Sequence, residues 1–293
     1  MTFVVMNLLP GQYQIDNLVF GKYTTVRVET FDIKPYDLNA MDYQTTRSDE
    51  IHFGWDQIKP TTIEITFDIL YSKLLPDYAG LIPNFWAEMP TVDDFANVWR
   101  ADDIRYNWGV MKPLYACGKD GIIRTIYGRP GAFTYPKDSE YTEVLQCLAE
   151  YRRADAFGYS VDEHAVLFND LQLTQTIYGT AGDAPSWMRI LLDGPVTNPT
   201  FAFTGTMLGD VTFQLDYTVA DNETIEINAY PWTRRCVSSN GQNLSSQLIG
   251  DTPYLDRMRF AADAVLSCTM GGTGMTGDTE ALLLWRDAYA TIK

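Results

Sequence analysis

Residues 184–203 read APSWMRILLDGPVTNPTFAF, and this stretch indicates most about the fold. Its first half is a short apolar strand, and Gly194-Pro195 follows as a turn. A second strand begins through Asn198-Pro199. Gly and Pro punctuate a chain because Pro fixes φ, whereas Gly tolerates backbone angles that other residues avoid. The stretch therefore predicts two consecutive strands joined by a tight turn.

Strand signals dominate the rest of the chain as well. Residues 63–69 alternate between apolar and polar side chains, the pattern of a strand with one buried and one wet face. Residues 211–219 alternate in the same way, and residues 224–230 repeat the pattern after a polar Asp221-Asn222 turn. That pair predicts a hairpin. Strands separated by turn signals favour a sandwich or barrel over an alternating α/β fold.

One helix is predicted after residue 91. Thr91 is suited to cap it, Asp94 stands at the third helical position, and Phe95, Val98 and Trp99 form an apolar stripe. We expect it to end near residue 103.

Residues 139–153 fit two structures. The stripe of a helix is formed by Val144, Leu145, Leu148 and Ala149. The face of a strand is formed by Leu145, Cys147, Ala149 and Tyr151. The periodicity alone leaves both open.

Length and charge narrow the class of protein. A chain of 293 residues, 46% of them apolar, is long enough for two domains with cores of their own. Its net charge of −16 repels phosphate, and Arg152-Arg153 and Arg234-Arg235 are isolated basic pairs. A role in binding nucleic acid is therefore not expected. No segment approaches the roughly 18 apolar residues of a membrane span, so no membrane insertion is expected. Residues 3–9 are interpreted as a first strand, because they lack the basic region of a signal peptide.

Motifs that resemble chemical sites are all better explained structurally. Residues 272–277 spell G-x-G-x-x-G, but a dinucleotide site also needs an acidic residue about 20 positions on, and the chain ends at Lys293. We expect a glycine-rich hairpin loop there. The four cysteines, about 30 or more residues apart, form no C-x-x-C pair, and buried reduced thiols are expected.

The two histidines are also given structural interpretations. His164 follows Asp162-Glu163 and is expected in a solvated turn, while His52 has no cluster of ligands at metal spacing. Pairing Cys147 with His164 as nucleophile and base is not supported by any activating neighbour in the sequence. The sequence therefore predicts no enzyme, no catalytic, cofactor-binding or metal-binding residues, and no cofactor.

Two groups of side chains have more open interpretations. Asp93-Asp94 suit the N-terminus of the predicted helix, but Asp102-Asp103 lie at its unfavourable end and have no account from sequence. Trp55, Trp86 and Trp108 lie in polar or Pro-rich surroundings. Interface anchors and ordinary core packing are equally good interpretations of them.

Several short motifs, in order, resemble a known family. They are residues 100–103, 114–130 with the ending Tyr127-Gly128-Arg129-Pro130, 152–159 (RRADAFGY), 184–203, 231–235 (PWTRR) and 283–289 (LLWRDAY). In this order and spacing they resemble the distal tail proteins of long-tailed siphophages, often labelled minor tail proteins in phages of actinobacteria. The family has a long strand at the position of residues 139–153, which favours the strand there.

The resemblance implies a fold and an organisation. It implies a mainly β chain: an N-terminal ring-forming domain of barrel or split-barrel type with one short helix, residues 1–170, and a C-terminal galectin-like β-sandwich, residues 171–293. Such domains form a ring, expected to be hexameric, that continues the tail tube.

The implied partners are other virion proteins. They are further copies of the chain, the major tail tube protein and the tail hub or tip protein, with the tape measure protein and receptor-binding proteins as further contacts. The expected location is the virion tail tip, assembled in the host cytoplasm. DNA is expected only to pass through the lumen, and acidic residues there would repel it. The alternative is a carbohydrate-binding module that uses exposed aromatics such as Trp187 or Trp232. A glycoside hydrolase would need a pair of carboxylates in a cleft, and nothing in the sequence points to one.

Overall fold

A computed structural model describes residues 7–33, 37–40, 42–44, 51–52, 57–70, 91–135, 144–178, 181–250 and 254–291. The chain forms two compact units: Met1–Gly158 with Thr291–Lys293, and Tyr159–Ala290. The division falls inside the 152–159 motif. The domain ranges 1–170 and 171–293 remain a prediction about which parts fold independently.

Among its described residues, the first unit is built from short antiparallel strands and two helices. Its strands are β1 Gln12–Ile15, β2 Leu18–Gly21, β3 Val26–Ile33, β4 Asp37–Asn39, β5 Tyr43–Gln44, β6 Ile51–His52, β7 Gln57–Lys59, β8 Thr62–Leu70, β9 Leu114–Cys117, β10 Ile123–Ile126, β11 Gly128–Thr134 and β12 Val144–Arg153. Its helices are α1 Val92–Arg100 and α2 Asp102–Arg105. Strand β13, Gly158–Ser160, spans the division between the units.

Two open sheets organise this unit. Four strands lie in the order β2-β1-β9-β10, and four others lie in the order β11-β12-β8-β3. Among the described residues neither sheet closes on itself as a barrel. Residues 144–153 form a strand, as the resemblance predicted, and Leu145, Cys147, Ala149 and Tyr151 face the core.

Helix α1 packs on the buried side of the second sheet. Its N-terminus is a complete capping box, in which the Thr91 hydroxyl accepts from the Asp94 amide and the Asp94 carboxylate accepts from the Thr91 amide at 2.7 Å. Phe95 and Trp99 are fully buried, and the Trp99 indole donates to the Glu150 carbonyl at 2.9 Å. The predicted start and stripe are thus confirmed. The helix ends at Arg100 rather than near residue 103, because Ala101 adopts a left-handed conformation and α2 follows.

Three antiparallel strand pairs follow one another along this part of the chain. Strands β3 and β8, β4 and β7, and β5 and β6 pair antiparallel in succession, from Val26 opposite Ile69 to Gln44 opposite Ile51. Ile63, Ile65, Phe67 and Ile69 on β8 are buried, whereas Leu38 on β4 is 50% exposed. The described strands therefore pass from a buried pair, β3 with β8, to a pair with an exposed apolar side chain.

The second unit is a sandwich. Its strands are β14 His164–Asn169, β15 Thr174–Ile177, β16 Ser186–Asp193, β17 Val196–Thr204, β18 Val211–Leu215, β19 Thr218–Val219, β20 Thr224–Asn228, β21 Arg235–Ser238, β22 Leu248–Gly250, β23 Arg259–Phe260, β24 Leu266–Thr273, β25 Glu280–Trp285 and β26 Ala288–Tyr289. One sheet has the order β14-β25-β16-β20-β21 and the other β15-β24-β17-β18-β22. The helix α3, Tyr254–Arg257, and a 3₁₀ turn, Ser245–Gln247, complete the described elements.

Consecutive strands in this unit repeatedly cross between the two sheets. The cis Gly194-Pro195 bond joins β16 in one sheet to β17 in the other, so both strands predicted from 184–203 are confirmed. The predicted hairpin of residues 211–230 is wrong. Strand β18 lies in one sheet and β20 in the other, and the buried Glu223 carboxylate holds the crossing by accepting from the Ala220 amide at 3.0 Å.

The glycine-rich segment is a second such crossing. It was predicted as a hairpin loop, but β24 and β25 belong to different sheets. Gly272, at φ +155°, passes so close to Val196 that a Cβ there would lie 2.5 Å from its side chain. Alternation along a strand predicts which face is buried but not which sheet a strand joins. The mainly β fold with a C-terminal β-sandwich is confirmed.

Candidate interaction surfaces

The motifs that resembled chemical sites have structural roles. The His164 imidazole lies 3.1 Å from the Asp287 carboxylate and stacks on Trp285 at 5.3 Å between ring centres. His164 begins β14 rather than standing in a turn, so that part of its interpretation is wrong. The side chain of His52 lies outside the described part of the structure. In the part that is described, no group of three or more His, Cys, Asp or Glu side chains is arranged to hold a metal.

The cysteines are buried free thiols. Burial, with the nearby Asp68 charge as the smaller cause, raises the pKa of Cys147 to about 11. Burial raises the pKa of Cys236 to about 12. A nucleophilic cysteine needs a lowered pKa, so both thiols are in the wrong environment for one.

The structure explains the two aspartates that sequence could not. Asp102 and Asp103 stand in the first turn of the separate helix α2, where a negative charge is favourable. Asp102 also pairs with Arg100 at 2.5 Å, and Asp103 pairs at 3.0 Å with the buried ammonium of Lys112. Asp16 binds the same ammonium at 3.1 Å. The two carboxylates offset the cost of burying the Lys112 charge.

The Gly-Arg-Pro motif fixes the loop before it. A Cβ on Gly128 would lie 2.2 Å from the Arg152 carbonyl, so only glycine allows this approach. Arg129 donates to the Val110 carbonyl at 2.5 Å and to the Asn107 carbonyl at 2.7 Å. Asn107 in turn donates to the Asp103 carbonyl at 3.0 Å. The motif therefore holds residues 106–110, which we call the aromatic loop, at both ends.

The aromatic loop presents its large side chains to solvent. Trp108 is 100% exposed and Tyr106 is 91% exposed, with Val110 beside them at 42%. Trp55 and Trp86, the other tryptophans predicted as possible anchors, lie outside the described residues. For Trp108 the exposure excludes ordinary core packing.

The aromatics suggested for glycan binding are placed differently. Trp187 is only 7% exposed, so it is a core residue and the suggestion that it is an exposed platform is wrong. Trp232 is partly buried. Its ring lies edge-on to Tyr159, with 5.5 Å between the ring centres, and is tilted against Tyr230, with 5.3 Å between the ring centres. The Trp187 ring is therefore closed to a sugar, and the Trp232 ring is part of an aromatic cluster.

A second candidate surface is the outward side of β3, β8 and β12, which we call the acidic face. It carries five carboxylates against two guanidiniums, those of Arg27 and Arg152. The carboxylates are Glu29, Asp32, Glu64, Asp68 and Glu150. Burial, followed by the Glu29 charge, raises the pKa of Asp68. Leu148 and Val144 lie among these groups and are 41% and 40% exposed.

The sandwich has an uncharged counterpart, the outward side of β15, β24, β17 and β18, which we call the hydroxyl face. Thr174, Thr269 and Ala202 lie opposite one another across three strands, and the two threonine hydroxyls are 3.1 Å apart. The other outward positions of these strands are Thr176, Ser267, Gly271, Thr200, Thr204, Thr212 and Gln214.

Comparison with known proteins gives a fold and no sequence match. No protein-family model matches the chain, and no curated protein matches it. Its fold is similar to that of the Dit protein (gp 19.1) of phage SPP1, with a TM-score of 0.56 at 10% identity over 94% of this chain and 98% of that one. It is also similar to a chain of the phage P2 baseplate in its activated conformation with Ca, with a TM-score of 0.50 at 11% identity, covering 94% and 97% of the two chains. The chain therefore has a fold similar to that of SPP1 Dit over nearly its whole length.

Proposed function

We propose that this protein is a structural virion protein, a ring-forming adaptor at the distal end of a phage tail. One observation carries the proposal: the fold matches SPP1 Dit over 98% of that chain. The solved structure of Dit is described as a paradigm of the hub adsorption apparatus in phages that infect Gram-positive hosts. Agreement over both units is stronger support than agreement of one β-sandwich, because sandwiches host many unrelated functions.

The first unit supplies features that suit ring formation. Strand β3 is at the edge of its sheet, and the strand pairs β4-β7 and β5-β6 follow it among the described residues. Long exposed edges invite pairing with another chain, and a soluble protein usually covers or pairs them. A head-to-tail contact between copies closes into a ring when its rotation permits, and six copies are proposed here.

The proposed partners follow from the position in a tail. The ring would continue the major tail tube protein on one side and carry the hub or tip protein on the other. The tape measure and receptor-binding proteins are proposed further contacts. DNA would pass through the lumen without binding, which suits a net charge of −16. A resolved ring with a basic lumen would contradict this last point.

The proposal assigns no catalytic step to the chain. His164 and the cysteines are held in structural roles. The two similar structures named above are described as part of a hub adsorption apparatus and as a phage baseplate. Binding of host glycans by the sandwich is the less favoured alternative, since Trp187 is buried. A glycan array with the purified protein separates the two, because an adaptor alone gives no saturable signal.

The first test is negative-stain microscopy of the purified protein, with its mass measured by light scattering. We expect closed rings with a central hole and a mass close to six chains of 33.2 kDa. Antibody labelling of virions should place the protein at the tail tip. A monomer that is absent from purified virions would overturn the proposal.

A further inference from the structure

We propose that the aromatic loop of one copy docks on the acidic face of the next copy, so that this heterologous contact builds the ring. The inference rests on the proposed function and specifies which surfaces meet. Both surfaces belong to the first unit, and the occupant of each is a second copy of this chain.

The aromatic loop has the properties of an interface anchor. Trp108 and Tyr106 are 100% and 91% exposed, an unfavourable state for large apolar rings in water. The loop does not depend on these rings for its shape, because Arg129 and Asn107 hold its backbone through carbonyl groups. A rigid exposed tryptophan loses little entropy on binding, which is why such residues dominate interface energies.

The charge of the loop singles out an acidic partner. Arg105 and Arg129 are the guanidiniums beside the loop, on a chain whose net charge is −16. The ammonium of Lys112 is already paired with Asp16 and Asp103, and it adds no positive charge for a partner. The guanidinium of Arg105 donates to the Trp99 carbonyl at 2.9 Å, and Arg129 also donates to carbonyls. A carbonyl is neutral, so these hydrogen bonds leave both positive charges in place. A second copy of this acidic chain is a partner with the matching charge.

The acidic face offers a complementary target. Leu148 and Val144 are 41% and 40% exposed and lie on the outward side of β12. On one side of Leu148, Glu150 lies opposite Glu64, which lies opposite Asp32. On the other side, Gln146 lies opposite Asp68 and donates to Glu29 at 3.1 Å. Leu148 shares its row with Thr66 and Thr30, and Asp68 in the second row also lies opposite Arg27. An exposed leucine with carboxylates on both sides suits an aromatic ring flanked by guanidiniums.

Two further points favour contact between copies. The acidic face carries five carboxylates against two guanidiniums, so guanidiniums brought by another copy would be attracted to it. A buried Trp and Tyr contribute roughly 150 to 250 Å² each, which is a large part of the roughly 800 Å² that each partner gives to a stable interface. Because loop and face differ, the contact is heterologous and propagates around a ring.

The test uses full-length variants whose mass is followed by sedimentation and light scattering. Trp108→Ala removes the aromatic side chain that docks, and Leu148→Asp replaces the apolar residue at which it docks with a charged one. Each is expected to weaken association between copies at least about 30-fold, the factor that corresponds to a 2 kcal/mol hot spot. Tyr23→Ala, at another aromatic that is 75% exposed, is the matched control and should leave the ring intact. Circular dichroism checks that each variant is folded.

Mixing the two variants gives the decisive result. The Trp108→Ala chain keeps a sound acidic face, and the Leu148→Asp chain keeps a sound loop, so the mixture can form one intact contact per pair. We expect each variant alone to be a monomer and the mixture to be a dimer. A mixture that stays monomeric overturns the pairing of these two surfaces.

The outcomes separate this inference from the ring itself. If Trp108→Ala still forms rings like the unaltered chain, the docking contact is wrong and the ring stands. If the unaltered chain is monomeric at every concentration, the docking contact and the self-assembled ring are both wrong. Labelling of the virion tail then decides independently whether the protein is a tail component.

Discussion

The outward faces of the sheets in the two units carry different side chains: charged groups in the first unit and uncharged hydroxyls in the sandwich. The acidic face of the first unit sets Glu150, Glu64 and Asp32 opposite one another on three strands. The hydroxyl face of the sandwich sets Thr174 and Thr269 opposite each other, with their hydroxyls 3.1 Å apart. Opposed carboxylates repel, whereas opposed threonines can hydrogen bond. The threonine pair therefore supports its own sheet, whereas the acidic face is the surface to which the proposed contact brings guanidiniums.

The largest expected effect tests the core packing behind the acidic face. Trp99→Ala empties a fully buried site and removes the indole hydrogen bond to the Glu150 carbonyl. It should destabilise the first unit by about 3–5 kcal/mol. Differential scanning calorimetry should show an earlier transition for that unit and an unchanged one for the sandwich.

A matched change in the sandwich completes that test. Phe213→Ala, at a core position 1% exposed, should shift the other transition instead. If both changes lower one common transition, the two units unfold together and the expectation of independent units is wrong.

The next effect compares two strand glycines, Gly128 beside the acidic face and Gly271 on the hydroxyl face. Gly128→Ala places a Cβ 2.2 Å from the Arg152 carbonyl, a backbone atom that cannot move alone. We expect a loss of about 1–3 kcal/mol. Gly271→Ala meets only the Thr200 hydroxyl, at 2.7 Å, and that side chain can rotate away. Its cost should be below about 1 kcal/mol, as measured by urea unfolding.

The same glycine links the fold to the proposed contact. Gly128 precedes Arg129, whose guanidinium holds the aromatic loop. We expect Gly128→Ala to weaken ring formation beyond its effect on stability, and Gly271→Ala to leave it unchanged. Equal losses of ring formation in both variants would contradict the role of Arg129 as the brace.

The sequence predicted the elements better than their connections. The Thr91 and Asp94 capping box and the alternation in residues 63–69 act within a few residues, so they are legible in the chain. The hairpin at 211–230 and the loop at 272–277 were misassigned because the choice between two sheets depends on contacts distant in sequence. The buried Glu223 that holds one crossing gives no local signal.

The candidate surfaces were predicted only in part. Trp108 was recognised as either an anchor or a core residue, and the structure was needed to decide. The acidic face could not be foreseen, because its members come from three strands whose register sets Asp32 beside Glu64 and Glu150. The net charge shows that carboxylates are in excess, but it does not show which of them lie side by side on a sheet.

The smallest expected effect concerns the acidic face itself. Burial and the neighbouring Glu29 raise the pKa of Asp68, while Arg27 opposes them. A carboxyl whose folded pKa lies above its unfolded value destabilises the fold as pH rises through the folded pKa, and has no such effect below the unfolded value. Asp68→Asn removes this charge and should stabilise the protein by about 0.2–1 kcal/mol at pH 7.

The pH dependence distinguishes charge relief from a change in packing. Urea unfolding of the Asp68→Asn and unaltered chains, both in the Trp108→Ala background to keep them monomeric, should show a gain at pH 7 that disappears near pH 3. Thr269→Val on the hydroxyl face is the counterpart, since it removes a hydroxyl pair and no charge. Its effect should be the same at both pH values. A gain from Asp68→Asn that persists near pH 3 would mean that the amide packs better, and the repulsion assigned to the acidic face would then be wrong.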